Sequence, residues 1–257
     1  MATLSVAVIV QDEEENLPGC LESVRWADEI VVVDSGSTDA TVEVARRYTD
    51  KVFIETDWQG CGIQRHRAQE RASGDWVLVL DADERVSPEL AEEIRAAVAR
   101  DARDRVYAFP RLAWCFGRFI RHGGWYPLYE TRLYPRERAR SDTVRVHTKV
   151  QYPEEMTCER LSGDLIHYTY HGVEHYSVKS ARYARDWADE RQALGQRAGL
   201  LQAIVHGLAC FVRMYLVRGG FRDARAGLLL AVLSAHSTFV KYAELWLRSQ
   251  PGRPEKP

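Results

Sequence analysis

Short apolar runs alternate with amphipathic stretches over the first hundred residues of the chain. The apolar runs are residues 4–10, 29–33, 51–54 and 76–80. The stretches with helical periodicity are residues 17–26, 40–48, 63–72 and 88–100. Strands that alternate with helices in this way predict a right-handed α/β sheet with helices on both faces.

The fourth apolar run stops abruptly at a cluster of acids. Residues 76–80 are Trp-Val-Leu-Val-Leu, and residues 81–84 are Asp-Ala-Asp-Glu. The run predicts a strand buried on both faces, and open parallel sheets bind ligands beyond the carboxyl ends of their strands. Three carboxylates there call for a cation, and Mg²⁺ or Mn²⁺ would bridge them to substrate phosphates. The alternative is a solvated loop whose acids precede a helix that begins at Ser87-Pro88-Glu89.

The chain changes character after residue 100. A strand is predicted at 107–110, an aromatic and basic segment fills 114–134, and a further strand is predicted at 165–170. That strand separates His167 from His171 and His175, so their spacing of four does not make a zinc-binding helix face.

Three helices are predicted in the last third, at 178–198, 200–217 and 227–247. Their apolar surfaces have two interpretations: a helical cap packed on the sheet domain, or a surface in the membrane interface with Arg218, Arg222 and Arg225 facing anionic lipid. The proline-rich, charged tail 249–257 is predicted to be disordered.

Composition excludes several classes of protein. With 257 residues, 46% of them hydrophobic, the chain is long enough for one large domain with an appendage. A net charge of -2 gives no overall bias toward nucleic acid. Five cysteines without a Cys-X-X-Cys pair argue against disulfides and thiolate zinc sites and favour a reducing cytosol. The N-terminal apolar run leads into acids and predicts a strand, not a signal peptide, and no window has the ~20 uninterrupted apolar residues of a membrane span.

The first strand lacks the glycine motifs of common nucleotide-binding folds. Gln11-Asp12-Glu13 stands where a dinucleotide fold would carry Gly-X-Gly-X-X-Gly, and no Walker-type lysine loop occurs. The remaining hypothesis is a nucleotide held by side-chain carboxylates and a metal.

Two segments about forty residues apart carry a resemblance to a known family. Residues 31–39, VVVDSGSTD, and 74–84, GDWVLVLDADE, resemble the donor half of a family 2 glycosyltransferase with a GT-A fold. The resemblance implies an inverting transferase that uses a sugar nucleotide, most often a UDP-sugar, with Mg²⁺ or Mn²⁺ as cofactor. The implied donor-binding residues are Gln11, Glu13, Asp34, Ser35, Arg65, Asp81, Ala82 and Asp83.

The resemblance also implies a role for several of these residues. Asp34 and the turn from Gln11 would hold the base and ribose, and Arg65 would lie near the uracil or the diphosphate. Asp81 would touch the ribose or the water shell of the metal, whereas Asp83, the last acid of the Asp-X-Asp motif, would be the metal ligand.

The aromatic and basic segment resembles one branch of the family. Residues 117–127, GRFIRHGGWYP, and 132–134, RLY, are similar to transferases that add glucose, in a β-1,4 linkage, to the inner-core heptose of bacterial lipopolysaccharide. Because aromatic faces stack on sugars and arginines bind phosphates, the segment is interpreted as an acceptor site. The implied acceptor-binding residues are Arg118, Arg121, His122, Trp125, Tyr126 and Arg132. The alternative is that the aromatics form a core and the arginines a solvated rim.

The catalytic base is the part of the pattern that departs from the family. Related sequences carry an acid after the Tyr-Pro and another after a later Val-His, where this chain has Leu128 and Thr148. The nearest carboxylates are Glu130, which we favour, and Asp142. The remaining candidates are Glu154 and Glu155.

The resemblance implies an organisation and a location. We expect a GT-A domain at 1–165, with its donor half at about 1–100 and its acceptor half at about 101–165, followed by a helical extension at 166–248. The expected acceptor is a lipid-linked oligosaccharide, and the expected location is the cytoplasmic face of the inner membrane. The open alternatives are a family 2 transferase acting on a polyprenyl phosphate, another polysaccharide or a protein, and a catalytically silent protein that binds sugar nucleotides.

Overall fold

The structure, a computed structural model, describes residues 1–143 and 148–250. The strands are β1 Leu4–Val10, β2 Glu29–Asp34, β3 Val52–Ile54, β4 Trp76–Asp81, β5 Glu84–Val86, β6 Arg105–Cys115, β7 Arg118–Phe119, β8 Leu128–Pro135, β9 Arg140–Ser141, β10 Val150–Gln151, β11 Thr157–Arg160 and β12 Leu165–Tyr170. The α-helices are α1 Leu17–Ser23, α2 Thr41–Ala45, α3 Cys61–Arg71, α4 Pro88–Arg100, α5 Val173–Ala193, α6 Leu200–Phe211 and α7 Ala224–Arg248. A π-helical segment, Val212–Val217, continues α6, and a 3₁₀ turn, Gly220–Asp223, precedes α7. Most of the tail predicted to be disordered, from residue 251 on, lies outside the described residues.

The main sheet is mixed, which confirms the α/β class predicted from the alternating pattern. Its strand order is β3-β2-β1-β4-β8-β6-β12-β5. The first four strands are parallel, whereas β8 runs antiparallel to both β4 and β6. The parallel half comprises the predicted strand–helix repeats, and the antiparallel strands extend the sheet beyond β4.

Strand β4 is buried on both faces, as its unbroken apolar sequence predicts. Leu78 and Leu80 lie in one core cluster, which also contains Ile94 of α4. Val77 and Val79 lie in a second cluster with apolar residues of α3. All four β4 side chains are at most 1% exposed. Alternating side chains of a central strand supply both cores, so β4 is fixed from both sides.

Strand register brings three strand ends to one edge of the sheet. Val10 of β1 pairs with Asp34 of β2, and Ile9 pairs with Asp81 of β4. Because these strands are parallel, the loops that follow β1, β2 and β4 leave the sheet on the same side.

The acids after β4 do not cap the next helix. Helix α4 begins at Pro88, and the Ser87 hydroxyl accepts a hydrogen bond from the backbone N–H of Leu90 at 3.2 Å. Asp81 instead ends β4, and Glu84 begins β5. The helix start predicted at Ser87-Pro88-Glu89 is therefore confirmed, whereas the acidic turn before it is not a solvated loop, because it links β4 to β5 and Glu84 is 0% exposed.

The chain divides into two compact units. Unit 1 comprises residues 1–112 and 127–167, and unit 2 comprises 113–126 and the chain from 168 onward. Unit 2 has its own apolar cluster, which includes Ile120, Met214 and Leu230. Two of its segments, Leu200–Val217 and Gly220–Arg248, are long and apolar enough to cross a membrane by length and composition, although charged residues interrupt both.

Candidate active site

The loops after β1 and β2 hold each other through side-chain hydrogen bonds. Asp34 is 1% exposed, and its carboxylate accepts the backbone N–H groups of Gly36 and Ser37, each at 2.9 Å, and the Ser37 hydroxyl. Asp12 adopts a left-handed φ of 53° and accepts the N–H of Thr38 at 2.7 Å. Gly36 has a φ of 93°, which glycine adopts without strain. The sequence DSGSTD is thus a turn closed by its own first carboxylate.

The other predicted residues of these loops lie at the same edge. Gln11 is exposed, and the backbone N–H of Glu13 donates to the Thr41 hydroxyl at 2.7 Å. Ser35 is 6% exposed and its hydroxyl accepts a hydrogen bond from buried Gln64 at 2.8 Å. Sequence reasoning missed Gln64, whose amide also donates to the Glu55 carbonyl at 2.8 Å and so ties α3 to this edge.

Two arginines hold the carboxylate of Asp81. One oxygen accepts from Arg65 at 2.6 Å and the other from Arg132 at 3.1 Å. Burial alone would raise the pKa of Asp81, but the two guanidinium groups outweigh it and hold the pKa well below its usual range. Asp81 is therefore ionised, and its side chain is held in one position by the two arginines. Each carboxylate oxygen can still accept a further hydrogen bond from a ligand.

A completely buried glutamate stands behind this pair. Glu84 is 0% exposed, accepts a hydrogen bond from Arg132 at 3.0 Å, and accepts the backbone N–H of Asp81 at 2.9 Å. Burial raises the pKa of Glu84, and the Arg132 charge opposes that effect. The negative charges of Glu84 and Asp81 raise the pKa of Arg132 despite its burial. Asp81, Glu84 and Arg132 form one ionic network, here called the β4 network.

Arg132 is almost completely buried within the β4 network. Its side chain is 7% exposed and forms ion pairs with the two acids of the β4 network. Two of its nitrogens, Nε and one terminal nitrogen, are buried with no partner among the described residues. The sequence had suggested an acceptor contact for Arg132, whereas the structure makes it a support for the acidic turn.

Asp83, the predicted metal ligand, lies beside a histidine. His167 Nε2 is 3.1 Å from an Asp83 carboxylate oxygen, and the two side chains are 12% and 16% exposed. This proximity follows from strand pairing, because His167 of β12 is the register partner of Glu84 of β5. The predicted strand at 165–170 is observed with the same bounds. Ala82, the middle residue of the Asp-X-Asp motif, is 3% exposed.

An oxygen and an imidazole nitrogen suit a divalent ion that keeps water and phosphate oxygens as its other ligands. Within residues 1–143 and 148–250, no group of three or more His, Cys, Asp or Glu side chains is arranged to hold a metal by itself. The pair Asp83 and His167 therefore fits an ion whose remaining ligands come from a diphosphate and water, and does not fit a structural zinc site.

The two predicted bases lie in unit 1. Glu130 is on β8, opposite Phe109 of β6, and its side chain is 33% exposed. Its carboxylate forms an ion pair with Arg111 at 3.9 Å. Asp142 follows β9 with one carboxylate oxygen buried and unpartnered among the described residues. The backbone of Asp142 lies directly against Gly62 of α3, where a Cβ would come within 2.0 Å of the Asp142 carbonyl.

The other predicted acceptor residues lie in unit 2. Arg118 is exposed, and the Arg121 guanidinium lies 5.4 Å from the centroid of the Tyr126 ring. Trp125 is partly buried against the apolar cluster of unit 2, with its ring 6.3 Å from that of Tyr170. The aromatic residues of this segment thus contribute to a core as well as to a surface.

His122 is held by an acid that sequence reasoning missed. Its Nδ1 is 2.9 Å from a carboxylate oxygen of Asp223, and the other oxygen accepts the backbone N–H groups of Arg121 and His122. Asp223 is 2% exposed, whereas the His122 side chain is 25% exposed. The contact with Asp223 fixes the orientation of the imidazole ring. About one hundred residues separate this pair, so no local pattern points to it.

The chain is similar to known proteins over almost its whole length. The model of Glycosyl transferase family 2 matches residues 5–155, more than half of the chain. The "Lipopolysaccharide core biosynthesis glycosyltransferase LpsC" of Rhizobium meliloti is 28% identical over 250 residues, covering 95% of this chain and 92% of that protein. The "Uncharacterized glycosyltransferase RP128" of Rickettsia prowazekii is 26% identical, covering 95% of this chain and 87% of that protein.

Solved structures give weaker likenesses. TarS 1-349 of S. aureus in complex with UDP is 15% identical, with a TM-score of 0.49 and coverage of 98% of this chain and 93% of that one. Glucosyl-3-phosphoglycerate synthase from Mycobacterium tuberculosis, in complex with Mn²⁺, UDP-glucose and phosphoglyceric acid, is 22% identical, with a TM-score of 0.37 and coverage of 44% of each chain.

Proposed function

The chain belongs to glycosyl transferase family 2, and we propose that it transfers a hexose, glucose first among the candidates, from a UDP-sugar to a heptose of the lipopolysaccharide inner core. The observation that carries the proposal is the acidic turn after β4. Its first aspartate is clamped by Arg65 and Arg132, and its second, Asp83, lies at hydrogen-bonding distance from His167. Such a turn would present fixed negative charge to a cation that accompanies a nucleoside diphosphate.

The loops after β1 and β2 would hold the nucleoside. The carboxylate of Asp34 accepts hydrogen bonds from the backbone of its own turn, so Asp34 would shape the loop that carries Ser35. The ribose would then be contacted by Asp81 and by backbone groups. Arg65, fixed beside Asp81, would balance charge next to the diphosphate.

Asp83 and His167 would hold Mg²⁺ or Mn²⁺. When bound, the ion would neutralise charge on the departing diphosphate. The β4 network would keep the acidic turn in place. A carboxylate of the chain would take the proton of the attacking acceptor hydroxyl.

A lipopolysaccharide acceptor is supported by the relatedness to LpsC and by the basic and aromatic segment of unit 2. Exposed Arg118, the Arg121–Tyr126 pair and the acid-held imidazole of His122 offer cationic, aromatic and hydrogen-bonding groups together. These are the groups that bind phosphorylated sugars. Acceptor and enzyme would meet at the cytoplasmic face of the inner membrane.

Thermal-shift measurements test the donor site. UDP and UDP-glucose with Mn²⁺ should raise the unfolding temperature, and omission of the ion or the variant Asp83→Asn should remove most of the shift, since binding to the native state stabilises it by mass action. Glu70→Gln, a change outside the acidic turn, is the matched control and should keep the full shift. A shift that survives both Asp83→Asn and His167→Ala would exclude this metal site.

Product analysis tests the acceptor and the base. Mass spectrometry of reactions with heptose-containing core oligosaccharides should show one added hexose, and Glu130→Gln should lower kcat about 100-fold or more without changing UDP binding. If Asp142→Asn lowers kcat and Glu130→Gln does not, Asp142 is the base. Transfer only to polyprenyl phosphate would replace the acceptor, and binding without transfer to any acceptor would identify a silent sugar-nucleotide protein.

A further inference from the structure

A row of large apolar side chains lies exposed along α6 and the π-helical segment that continues it. Its members, here called the α6 stripe, are Leu201 (74% exposed), Val205 (55%), Leu208 (63%), Val212 (46%) and Leu216 (56%). They recur at intervals of three or four residues, which places them on one face of the helix. Val217, 75% exposed, and Phe221, 53% exposed, extend the apolar surface to the turn before α7.

The side of α6 that packs inward is built from small residues. Ala203 is 0% exposed, and a Cβ on Gly207 would lie 3.2 Å from the carbonyl oxygen of Ala235 in α7. Helix α6 therefore approaches α7 through alanine and glycine while its leucines and valines point away from α7. In a water-soluble helix pair the large apolar residues face the partner helix, whereas small residues at the helix contact are typical of helices in lipid.

The surface around the α6 stripe carries positive charge without compensation. Between residues 198 and 240 the cations are Arg213, Arg218, Arg222 and Arg225, and the only acid is Asp223. All four arginines are exposed, and no described acid forms an ion pair with them. Asp223 is 2% exposed and its carboxylate is engaged by His122. An apolar row flanked by free arginines complements an anionic lipid surface in both polarity and charge.

We propose that the α6 stripe is the surface by which the protein lies in the interface of an anionic phospholipid bilayer, with the four arginines at the level of the headgroups. The helix lies in the plane of the membrane because only one of its faces is apolar and exposed. The opposite face packs on α7 through Ala203 and Gly207, and Arg213 places a charge inside the apolar segment Leu200–Val217. The reason for the protein to bind a membrane rests on the proposed lipid-linked acceptor. The residues that form the α6 stripe are separate from the donor site.

Vesicle cosedimentation of the full chain, without any substrate, tests the surface. The protein should bind vesicles that contain phosphatidylglycerol at least tenfold more tightly than vesicles of phosphatidylcholine alone, and salt should weaken the binding. Leu201→Ser combined with Leu208→Ser should reduce binding about tenfold or more, because two leucines no longer enter the bilayer. Arg222→Gln combined with Arg225→Gln should remove most of the preference for anionic lipid.

Two controls separate this surface from folding and from the donor site. Leu194→Ser changes a leucine that is 65% exposed and lies just after α5, outside the stripe, and should leave vesicle binding unchanged. The double leucine variant should keep its circular dichroism spectrum and its thermal shift with UDP and Mn²⁺. The proposal is overturned if the wild-type protein binds none of the vesicles. It is also overturned if the protein sediments as a dimer that the leucine changes dissociate. Vesicle binding without any UDP binding leaves the surface intact and defeats the proposed function.

Discussion

Arg132 shows how one buried side chain holds an acidic turn in place. It is the cation between Asp81 and the fully buried Glu84, and the contacts are 3.1 and 3.0 Å. Two carboxylates so close together would repel each other in a poorly solvated place, so the guanidinium is what makes the arrangement possible.

Arg132→Met should therefore destabilise the protein by about 3–5 kcal/mol, the range for removing one partner of a buried ion pair. Urea unfolding followed by circular dichroism measures this. The control is Arg138→Met, because Arg138 forms an ion pair with Glu155 in which both side chains are more than a third exposed. The control should cost about 1 kcal/mol or less. Equal losses in the two variants would contradict the assigned role of Arg132.

At the scale of residues, the sequence pointed to the acidic turn but not to its partners. Asp81 and Asp83 stand out because they end an apolar run and match a family motif. Arg132 and His167 lie 51 and 84 residues away from the acids they contact, and only strand pairing brings them near. Local patterns carry no information about which strands will pair, so these contacts required the structure.

Glu29 fastens the beginning of β2 to its neighbours. Its carboxylate accepts hydrogen bonds from Ser5 of β1, from Lys51 just before β3, and from the backbone and hydroxyl of Ser73, each of the latter two at 2.7 Å. Burial opposes its ionisation, but these donors, led by Lys51 and Ser5, outweigh it and lower the pKa of Glu29 from 4.5 to about 2.

This arrangement predicts a defined dependence on pH. A carboxyl whose pKa is lower in the folded state stabilises fully above its unfolded pKa, so the contribution of Glu29 is complete above pH 4.5 and is lost as the pH falls toward 2. Glu29→Gln should cost about 2 kcal/mol of unfolding free energy at pH 7. The difference from wild type should shrink at pH 3. Glu22→Gln, which changes an exposed i,i+3 partner of Arg25, should show neither effect. A pH-independent difference would contradict the assignment.

Among the elements, those bounded by strong local signals were predicted best. Strands β1 and β12 and helix α4 have their predicted bounds, because sharp changes in polarity or a serine–proline start mark their ends. Helix α2 is shorter than predicted, Thr41–Ala45, and Ala40, the residue at its N-cap, provides no side-chain hydrogen bond. Helix α5 begins at Val173, before the predicted residue 178, after a glycine that gives no capping signal.

The whole chain has five free thiols in very different surroundings. Cys158 is exposed, whereas Cys20 in unit 1 and Cys115 in unit 2 are buried. Burial raises the pKa of Cys115 to about 11, so little of it is thiolate at neutral pH.

The native protein should therefore react rapidly with Ellman's reagent at a single thiol, and all five should react in urea. Cys158→Ser should abolish the rapid phase, because the half-buried Cys61 and Cys210 react more slowly. Stopped-flow absorbance measures the amplitude of the rapid phase in the native protein and the total amplitude in urea. A rapid phase of two or more equivalents would contradict this ranking of the five thiols by exposure.

The division of the whole molecule was the least visible feature in the sequence. Residues 113–126, which the sequence suggests as part of the catalytic domain, belong with the C-terminal helices in unit 2. Their hydrogen bonds to Asp223 explain why, since the backbone of residues 121 and 122 is tied to the start of α7. A segment of mixed aromatic and basic residues gives no sign of which distant element will claim it.

The short distance between Asp83 and His167 has a topological consequence. The two residues are 84 positions apart, and β12, which carries His167, continues along the chain toward α5. The pairing of β5 with β12 already closes this long loop and holds the two side chains side by side. An ion that both residues held would therefore meet a frame formed in advance, and its binding would cost little conformational entropy.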